Sequence, residues 1–171
     1  ISMFHKVIPT GIKHGTVTVC LNNENYEVTT FRTEGNYKDG RHPDKVEFIS
    51  NLREDLARRD FTINAMAFSE KEGLKDYFNG LEDLNNKIIR TVGTADERFK
   101  EDALRMLRAI RFSAQLDFKI NDDTLKSIKK LSHNINFISK ERIREEFNKI
   151  LIYDPEKINV LKDCEILPLI I

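Results

Sequence analysis

Arg58-Arg59-Asp60-Phe61-Thr62-Ile63-Asn64-Ala65-Met66-Ala67 sets two guanidiniums and a carboxylate side by side, with one amide following on an otherwise apolar run. A basic pair, an acid and an amide supply fixed donors and acceptors of the kind a phosphate-and-ribose ligand needs. By itself the cluster reads equally well as a helix end carrying a surface ion pair. Two further segments decide between these readings. One is Glu101-Asp102-Ala103-Leu104-Arg105-Met106-Leu107-Arg108-Ala109-Ile110-Arg111-Phe112, and the other is Glu141-Arg142-Ile143-Arg144-Glu145-Glu146-Phe147-Asn148-Lys149-Ile150-Leu151.

The chain has 171 residues, enough for one ordinary domain or two small lobes sharing a core. Hydrophobic residues make up 40% and charged residues 33%, the balance of a soluble chain able to bury a core. Lys+Arg and Asp+Glu each number 28, so the net charge is zero. RNA-binding proteins are more often basic overall, but local stripes of charge decide binding more than the sum does. Cys20 and Cys164 stand far apart with no metal or redox spacing, and suit a reducing cytosol as small buried apolar residues. His5, His14, His42 and His133 are scattered and imply no zinc site. No apolar run is long enough to span a membrane and none reads as a signal peptide, which points to the cytoplasm. The first residue is Ile1 rather than Met, so the sequence reads as a fragment or a chain with its front missing.

Residues 16–21 and 26–32 are rich in β-branched side chains and, joined by residues 22–25, predict a β-hairpin. Residues 34–44 carry Gly35, Gly40, Pro43 and many charges and predict a loop. A brief strand at 46–49, a short helix at 52–58 and a buried strand or helix end at 65–68 follow. Residues 76–80 predict a turn in which Gly80 supplies conformational freedom. From Thr94 onward the pattern is helical. Thr94 with Glu97 fits a capping box, and Leu104, Leu107, Ile110 and Ala114 form an apolar face. Residues 122–131 and 139–151 predict two more helices, and Asp154-Pro155 is an N-cap followed by Pro at the first helical position.

In their order, the three segments resemble the signature motifs of the class II tRNA nucleotidyltransferase and bacterial poly(A) polymerase family, over about residues 15–151. The resemblance implies an α+β fold. A nucleotidyltransferase-type head, N-terminally truncated but keeping its hairpin, would occupy residues 1–93. An all-helical, nucleotide-templating neck, cut short at its C-terminus, would occupy 94–171. The family's transfer sheet carries carboxylates that hold two magnesium ions, which activate the attacking hydroxyl and stabilise the leaving pyrophosphate. Glu27 matches a third, supporting carboxylate and is the one catalytic candidate; from composition alone it reads as an exposed strand residue. The principal ligands form an Asp-x-Asp pair behind a Gly-Gly turn upstream of the hairpin, and no such pair occurs in residues 1–15. The expectation is a chain without a metal site of its own, Glu27 apart, and inert alone.

Asp102 and Arg105, three apart, would share one helix face. An intrahelical ion pair is the bland reading. Cytosine and adenine, however, both show an amino donor beside a ring-nitrogen acceptor, whereas uracil and guanine show a carbonyl beside a ring N–H. An accepting carboxylate and a donating guanidinium therefore suit C and A, and leave polar groups unpaired against U and G. The family is held to use its Glu-Asp-x-x-Arg motif in this way, as an amino-acid template. Arg108 and Arg111 would continue along the helix toward phosphates. The resemblance also gives Asp60 a ribose hydroxyl and Arg59 and Asn64 sugar or phosphate, with Arg58 facing the linking region. The segment 141–151 has an apolar stripe and mostly packs, with Arg142 and Arg144 the side chains best placed to reach a partner group. Asp39-Gly40-Arg41 matches a family loop thought to act as a lever in the switch from C to A, although His42 stands where the family often has Arg.

The implied function is part of a template-independent enzyme adding C, C and A to tRNA ends, with tRNA, CTP and ATP as partners and Mg2+ as cofactor. CC-adding, A-adding and poly(A) polymerase enzymes use the same motifs. The Asp-Gly-Arg loop leans away from a CC-only enzyme. A non-catalytic RNA- or nucleotide-binding module is the reading from a different class.

Overall fold

The structure, a computed structural model, describes residue 4 and residues 6–12, 15–35 and 46–171. Strands β1 (Val7–Gly11), β2 (Thr16–Leu21) and β3 (Glu24–Thr29) form an antiparallel meander in that order. The β2–β3 connection is shorter than the predicted four residues. Asn22 and Asn23 take φ 50 and 64, the paired left-handed geometry of a two-residue hairpin turn, so β3 begins at Glu24. The following strand is separate. Residues of β4 (Arg32–Glu34) pair with β5 (Val46–Phe48), and Asp39 and Arg41 lie outside the described residues.

Helix α1 (Leu52–Ala57) is N-capped by the Asn51 side chain, which accepts from Arg53 N at 3.0 Å. A 3-10 turn at Thr62–Asn64 leads into the hairpin β6 (Met66–Ser69) and β7 (Gly73–Asp76). The segment expected to be buried here is not. Ala65 is buried, but Phe68 is 73% exposed.

At the turn into α2 (Gly80–Asn85), the left-handed residue is Asn79, φ 59, rather than Gly80. Gly80 is required for a different reason. A Cβ there would stand 2.2 Å from the Thr62 carbonyl oxygen, so the helix start is pressed onto the 3-10 turn. Buried Asp83 of α2 fastens the same contact, accepting from Thr62 Oγ1 at 2.7 Å and Arg90 Nε at 3.0 Å. Asp76 holds the start of α2 by accepting the N–H groups of Phe78, Gly80 and Leu81.

Helices α3 (Ala95–Glu101), α4 (Leu104–Leu116), α5 (Asp122–Leu131), α6 (Lys140–Tyr153), α7 (Ile158–Asp163) and α8 (Leu167–Ile170) complete the chain. Thr94 occupies the N-cap position of α3, but its side chain makes no capping bond. Asp154 does cap, accepting from Glu156 N ahead of a 3-10 turn at Pro155–Lys157. Between α4 and α5 a two-residue strand, β9 (Lys119–Ile120), pairs in parallel with β8 (Ile88–Ile89). One hydrophobic core takes Phe61 and Ile89 from the first half together with Phe99, Met106, Leu107 and Ile110 of α3 and α4. Each such fully buried side chain contributes about 1.5–3 kcal/mol. A smaller cluster of Leu56, Ala65 and Val92 sits beneath α1. The two halves are thus packed into one unit at the level of residues 60–110.

Gly80→Ala should lower stability by about 2 kcal/mol in urea unfolding, because its Cβ meets backbone rather than a yielding side chain. Asp76 gives a pH-dependent test. Burial alone would raise its pKa, but the N–H groups of Leu81, Gly80, Phe78 and Asn79 outweigh that and hold it below the usual carboxylate range. A depressed folded-state pKa contributes stability above the unfolded value and loses it as pH falls through the folded one. The stability gap between wild type and Asp76→Asn, measured by urea titration, should therefore be widest near neutrality and close below about pH 4.

Candidate functional site

The first wall of the site begins at the end of α1. Asp55, buried on that helix, accepts from Arg58 Nε at 3.1 Å and Arg58 NH2 at 2.8 Å, and lies 3.6 Å from Arg59 NH2. It also takes Arg32 N at 3.1 Å, which ties β4 to the helix. Next in the chain, Asp60 is held by four donors: Phe61 N at 2.9 Å, Asn64 Nδ2 at 3.2 Å, Arg108 Nε at 2.9 Å and Arg108 NH2 at 2.7 Å. Arg59 donates to the Asn64 carbonyl at 3.3 Å. The segment is registered from behind by Thr62 N to the Arg90 carbonyl and Val92 N to the Asp60 carbonyl.

The second wall comes from a break between helices. Asp102 has extended geometry, φ −145 and ψ 104, so α3 stops there and α4 starts at Leu104. The expected single helix face carrying Asp102 and Arg105 is corrected by this break, and the two side chains do not pair with each other. The Asp102 carboxylate accepts Leu104 N at 3.0 Å and Arg142 NH2 at 2.7 Å. Arg105 donates to Glu101 at 2.5 Å, to the Arg98 carbonyl at 3.2 Å and, from NH2, to the Arg58 carbonyl at 3.2 Å. Each member of the pair is thereby aimed by a partner of opposite charge on its far side.

The walls enclose a cleft of about 520 Å³ lined by Arg58, Arg59, Asp60, Asn64, Asp102, Leu104, Arg105, Arg108 and Arg142. Five guanidiniums face two carboxylates, so the cleft is electropositive and suited to a polyanion, with acceptors placed among the cations. Seven of the residues named from the sequence meet here: Arg59, Asp60, Asn64, Asp102, Arg105, Arg108 and Arg142. Arg58 was expected to face the linking region, but it lines the cleft as well.

Other expectations are not met by the geometry. Arg111 is buried and away from the cleft. Its Nε donates to Glu146 at 2.7 Å, its NH1 to Gln115 at 2.7 Å, and its guanidinium lies 3.7 Å from the Phe112 ring centroid. One helical turn beyond Arg108, it faces α6 and locks α4 to it. Arg144 lines a separate hollow with Ile143, Phe147 and residues 169–171. Glu27 is exposed on β3 opposite Thr18, and does not line the cleft. Two residues that matter were given no role of their own in the sequence reading, Asp55 and Glu101. Their signal was present as i,i+3 and i,i+4 spacing to Arg58, Arg59 and Arg105.

Among the described residues no group of three or more His, Cys, Asp or Glu side chains converges as a metal ion would need. The side chains described here do not by themselves make a two-metal transfer centre. No helix among the described residues is long and apolar enough to cross a membrane.

With this fold and cleft in view, comparison with known proteins is direct. Residues 2–90 match the family of the "Poly A polymerase head domain", and residues 117–170 match the "Probable RNA and SrmB- binding site of polymerase A". The chain belongs to the class II tRNA nucleotidyltransferase and poly(A) polymerase family. It is 55% identical over 150 residues to a CCA-adding enzyme of Ligilactobacillus salivarius, covering 88% of this chain and 37% of that one. A CCA-adding enzyme of Staphylococcus aureus is 53% identical over 150 residues, covering 88% and 38%. The crystal structure of the Bacillus stearothermophilus CCA-adding enzyme in complex with CTP superposes with a TM-score of 0.87 at 42% identity, covering 97% of this chain and 40% of that one. The chain thus spans well under half the length of these relatives. Nucleotidyltransferases of this family use divalent metals.

The contrast between Arg108 and Arg111 is testable by urea unfolding. Arg111→Ala leaves buried Glu146 with only the half-exposed Lys149 ammonium, 3.6 Å away, as a cationic partner and should cost about 3 kcal/mol. Arg108→Ala, at the solvent-accessible cleft, should change stability by about 1 kcal/mol or less.

Proposed function

We propose that the cleft binds a ribonucleoside triphosphate and selects its base with side chains, CTP and ATP being the nucleotides it accepts. The observation that carries this reading is the convergence in one electropositive cleft of Asp102 and Arg105 with Arg59, Asp60 and Asn64. The two groups are separated by some forty residues and placed by different helices.

The hydrogen-bond inventory says how each part would act. Asp102 is held by Leu104 N and Arg142, and its carboxylate has room for one more donor, such as an exocyclic amino group. Arg105 spends three of its five N–H groups on Glu101 and two carbonyls, which leaves donors for a ring nitrogen or an adjacent carbonyl. Cytosine and adenine satisfy both groups. Uracil and guanine bring an N–H against the guanidinium and a carbonyl against the carboxylate, and leave buried polar groups unmatched. Asp60 already accepts four bonds, about as many as a carboxylate can. A ribose hydroxyl would enter there by displacing the Asn64 amide, the longest of the four. Phosphate charge would then meet Arg59, the most exposed guanidinium of the cleft, with Arg58 and Arg142 adding their positive charge while they keep their carboxylate partners.

On this reading residues 1–93 are head and 94–171 templating neck. Both serve addition of C, C and A to tRNA ends in the cytoplasm, with Mg2+ as the ion. Glu27 is the one side chain here offered to that ion, in support of ligands these 171 residues do not supply. Arg144 is left to contacts outside the cleft, and Asp39 and Arg41 to the lever role that the family resemblance gives their loop.

Calorimetric titration of the 171-residue chain should show CTP and ATP binding at least about tenfold more tightly than UTP and GTP. Asp102→Ala and Arg105→Ala should each abolish that preference without unfolding the chain, as followed by circular dichroism. Equal affinity for all four nucleotides would sink the reading. The same chain incubated with Mg2+, labelled CTP and ATP and a tRNA lacking its last three nucleotides should incorporate neither. Incorporation at high Mg2+ would overturn the reading that the chain is inert for want of the principal metal ligands.

A further inference from the structure

Arg98 stands outside the cleft lining, yet it is bonded to both of the segments that shape it. Its NH1 donates to the Ala57 carbonyl at 3.2 Å. Its NH2 pairs with Glu101 Oε1 at 2.6 Å, while Glu101 Oε2 takes Arg105 NH1. The Arg98 carbonyl accepts that same Arg105 nitrogen, and Arg105 NH2 reaches the Arg58 carbonyl. The result is a closed circuit. Two guanidiniums from α3 and α4, bridged by one carboxylate, hold two consecutive peptide carbonyls at the end of α1. Those carbonyls belong to the last turn of a helix, where acceptors lack intrahelical partners and the macrodipole is negative, so cations are favoured there. Arg59 and Asp60 follow them directly in the chain.

A second observation concerns Arg98 Nε. Among the described residues it is the buried side-chain nitrogen or oxygen left without a hydrogen-bond partner. Here the planar fork is committed at both ends, to Ala57 and to Glu101, and the third donor is left unmade.

We propose that Arg98 is a positioning residue for base selection. By holding Glu101 against Arg105 and the pair against Ala57, it fixes the distance between the base-reading guanidinium and the Asp60 segment. The proposal rests on the cleft being the nucleotide site. It predicts that Arg98 governs discrimination among bases without contributing to phosphate affinity, since the lining side chain it acts on is Arg105, directly through its carbonyl and from its side chain through Glu101.

The test compares wild type, Arg98→Ala and Arg98→Lys in calorimetric titrations with CTP, UTP and inorganic triphosphate, alongside thermal unfolding. Lys retains a charge for Glu101 but cannot hold both partners with one planar fork. The expected result is a fall of about tenfold in the CTP-over-UTP affinity ratio for Arg98→Ala and a partial fall for Arg98→Lys, with triphosphate affinity unchanged. A ratio equal to wild type in Arg98→Lys and Arg98→Ala, or equal losses for CTP, UTP and triphosphate, would show a merely structural residue and overturn the proposal. If Arg98→Ala fails to fold, the Lys variant carries the same comparison. Absence of any CTP preference in wild type would instead remove the nucleotide reading, and the proposal with it.

Discussion

Two adjacent carbonyls, those of Ala57 and Arg58, are where the halves of the cleft meet. Arg98 donates to the first and Arg105 to the second. Everything that faces the cleft is measured from that junction. The chain turns immediately after it into Arg59 and Asp60, and the donors are themselves on or beside the Glu101-Asp102 break between α3 and α4. A helix end has carbonyls to spare. Here they are satisfied by charged side chains from a distant part of the sequence, so the last turn of α1 and the first turn of α4 are set by one set of bonds.

Around that junction the cleft uses ion pairs to aim side chains rather than to add net stability. Asp102 is turned by Arg142 and Asp60 by Arg108, while Arg105 is backed by Glu101 and Arg58 by Asp55. The partly exposed Arg108–Asp60 and Arg142–Asp102 pairs contribute little to folding, whereas Asp55 and Arg105 are buried and would be costly to leave without their partners. The effect of these pairs is that each polar group enters the cleft with its orientation already chosen, Asp102 and Arg105 with hydrogen-bonding capacity left over. The stability lies elsewhere, in the core from Phe61 and Ile89 through Met106, Leu107 and Ile110, and in the buried Arg111–Glu146 pair that locks α4 to α6. A single helix thus presents Arg105 and Arg108 to the cleft and Arg111 to the interior.

Behind the cleft, Asp83, Arg90 and Gly80 stiffen the segment carrying Asp60. The first two bond Thr62, or pair with the group that does, and the third lets α2 approach the Thr62 carbonyl. The pairing of β8 with β9 draws the residues after α4 onto the same scaffold. Such supports hold in place the irregular stretch 58–60, which shares the cleft with side chains of α4 and α6.

The sequence by itself determined the family resemblance, the hairpin of residues 16–29, the helices from Leu104 onward and most of the cleft side chains. These are local properties: β-branched runs, an apolar spacing of three and four, and motifs whose chemistry reads from residue type. What only the tertiary structure decided is how those side chains are partnered. Asp102 and Arg105 read as one helical face, but a backbone break at Asp102 separates them and hands each to a partner remote from the other. Arg111 carries the same spacing signal as Arg108, and nothing local says that Glu146, thirty-five residues on, will bury it. Gly80 reads as a flexible turn residue, and its need proves to be the Thr62 carbonyl pressed against it. In each case the deciding atom lies far away in the chain, and periodicity, which samples only neighbours, carries no record of it.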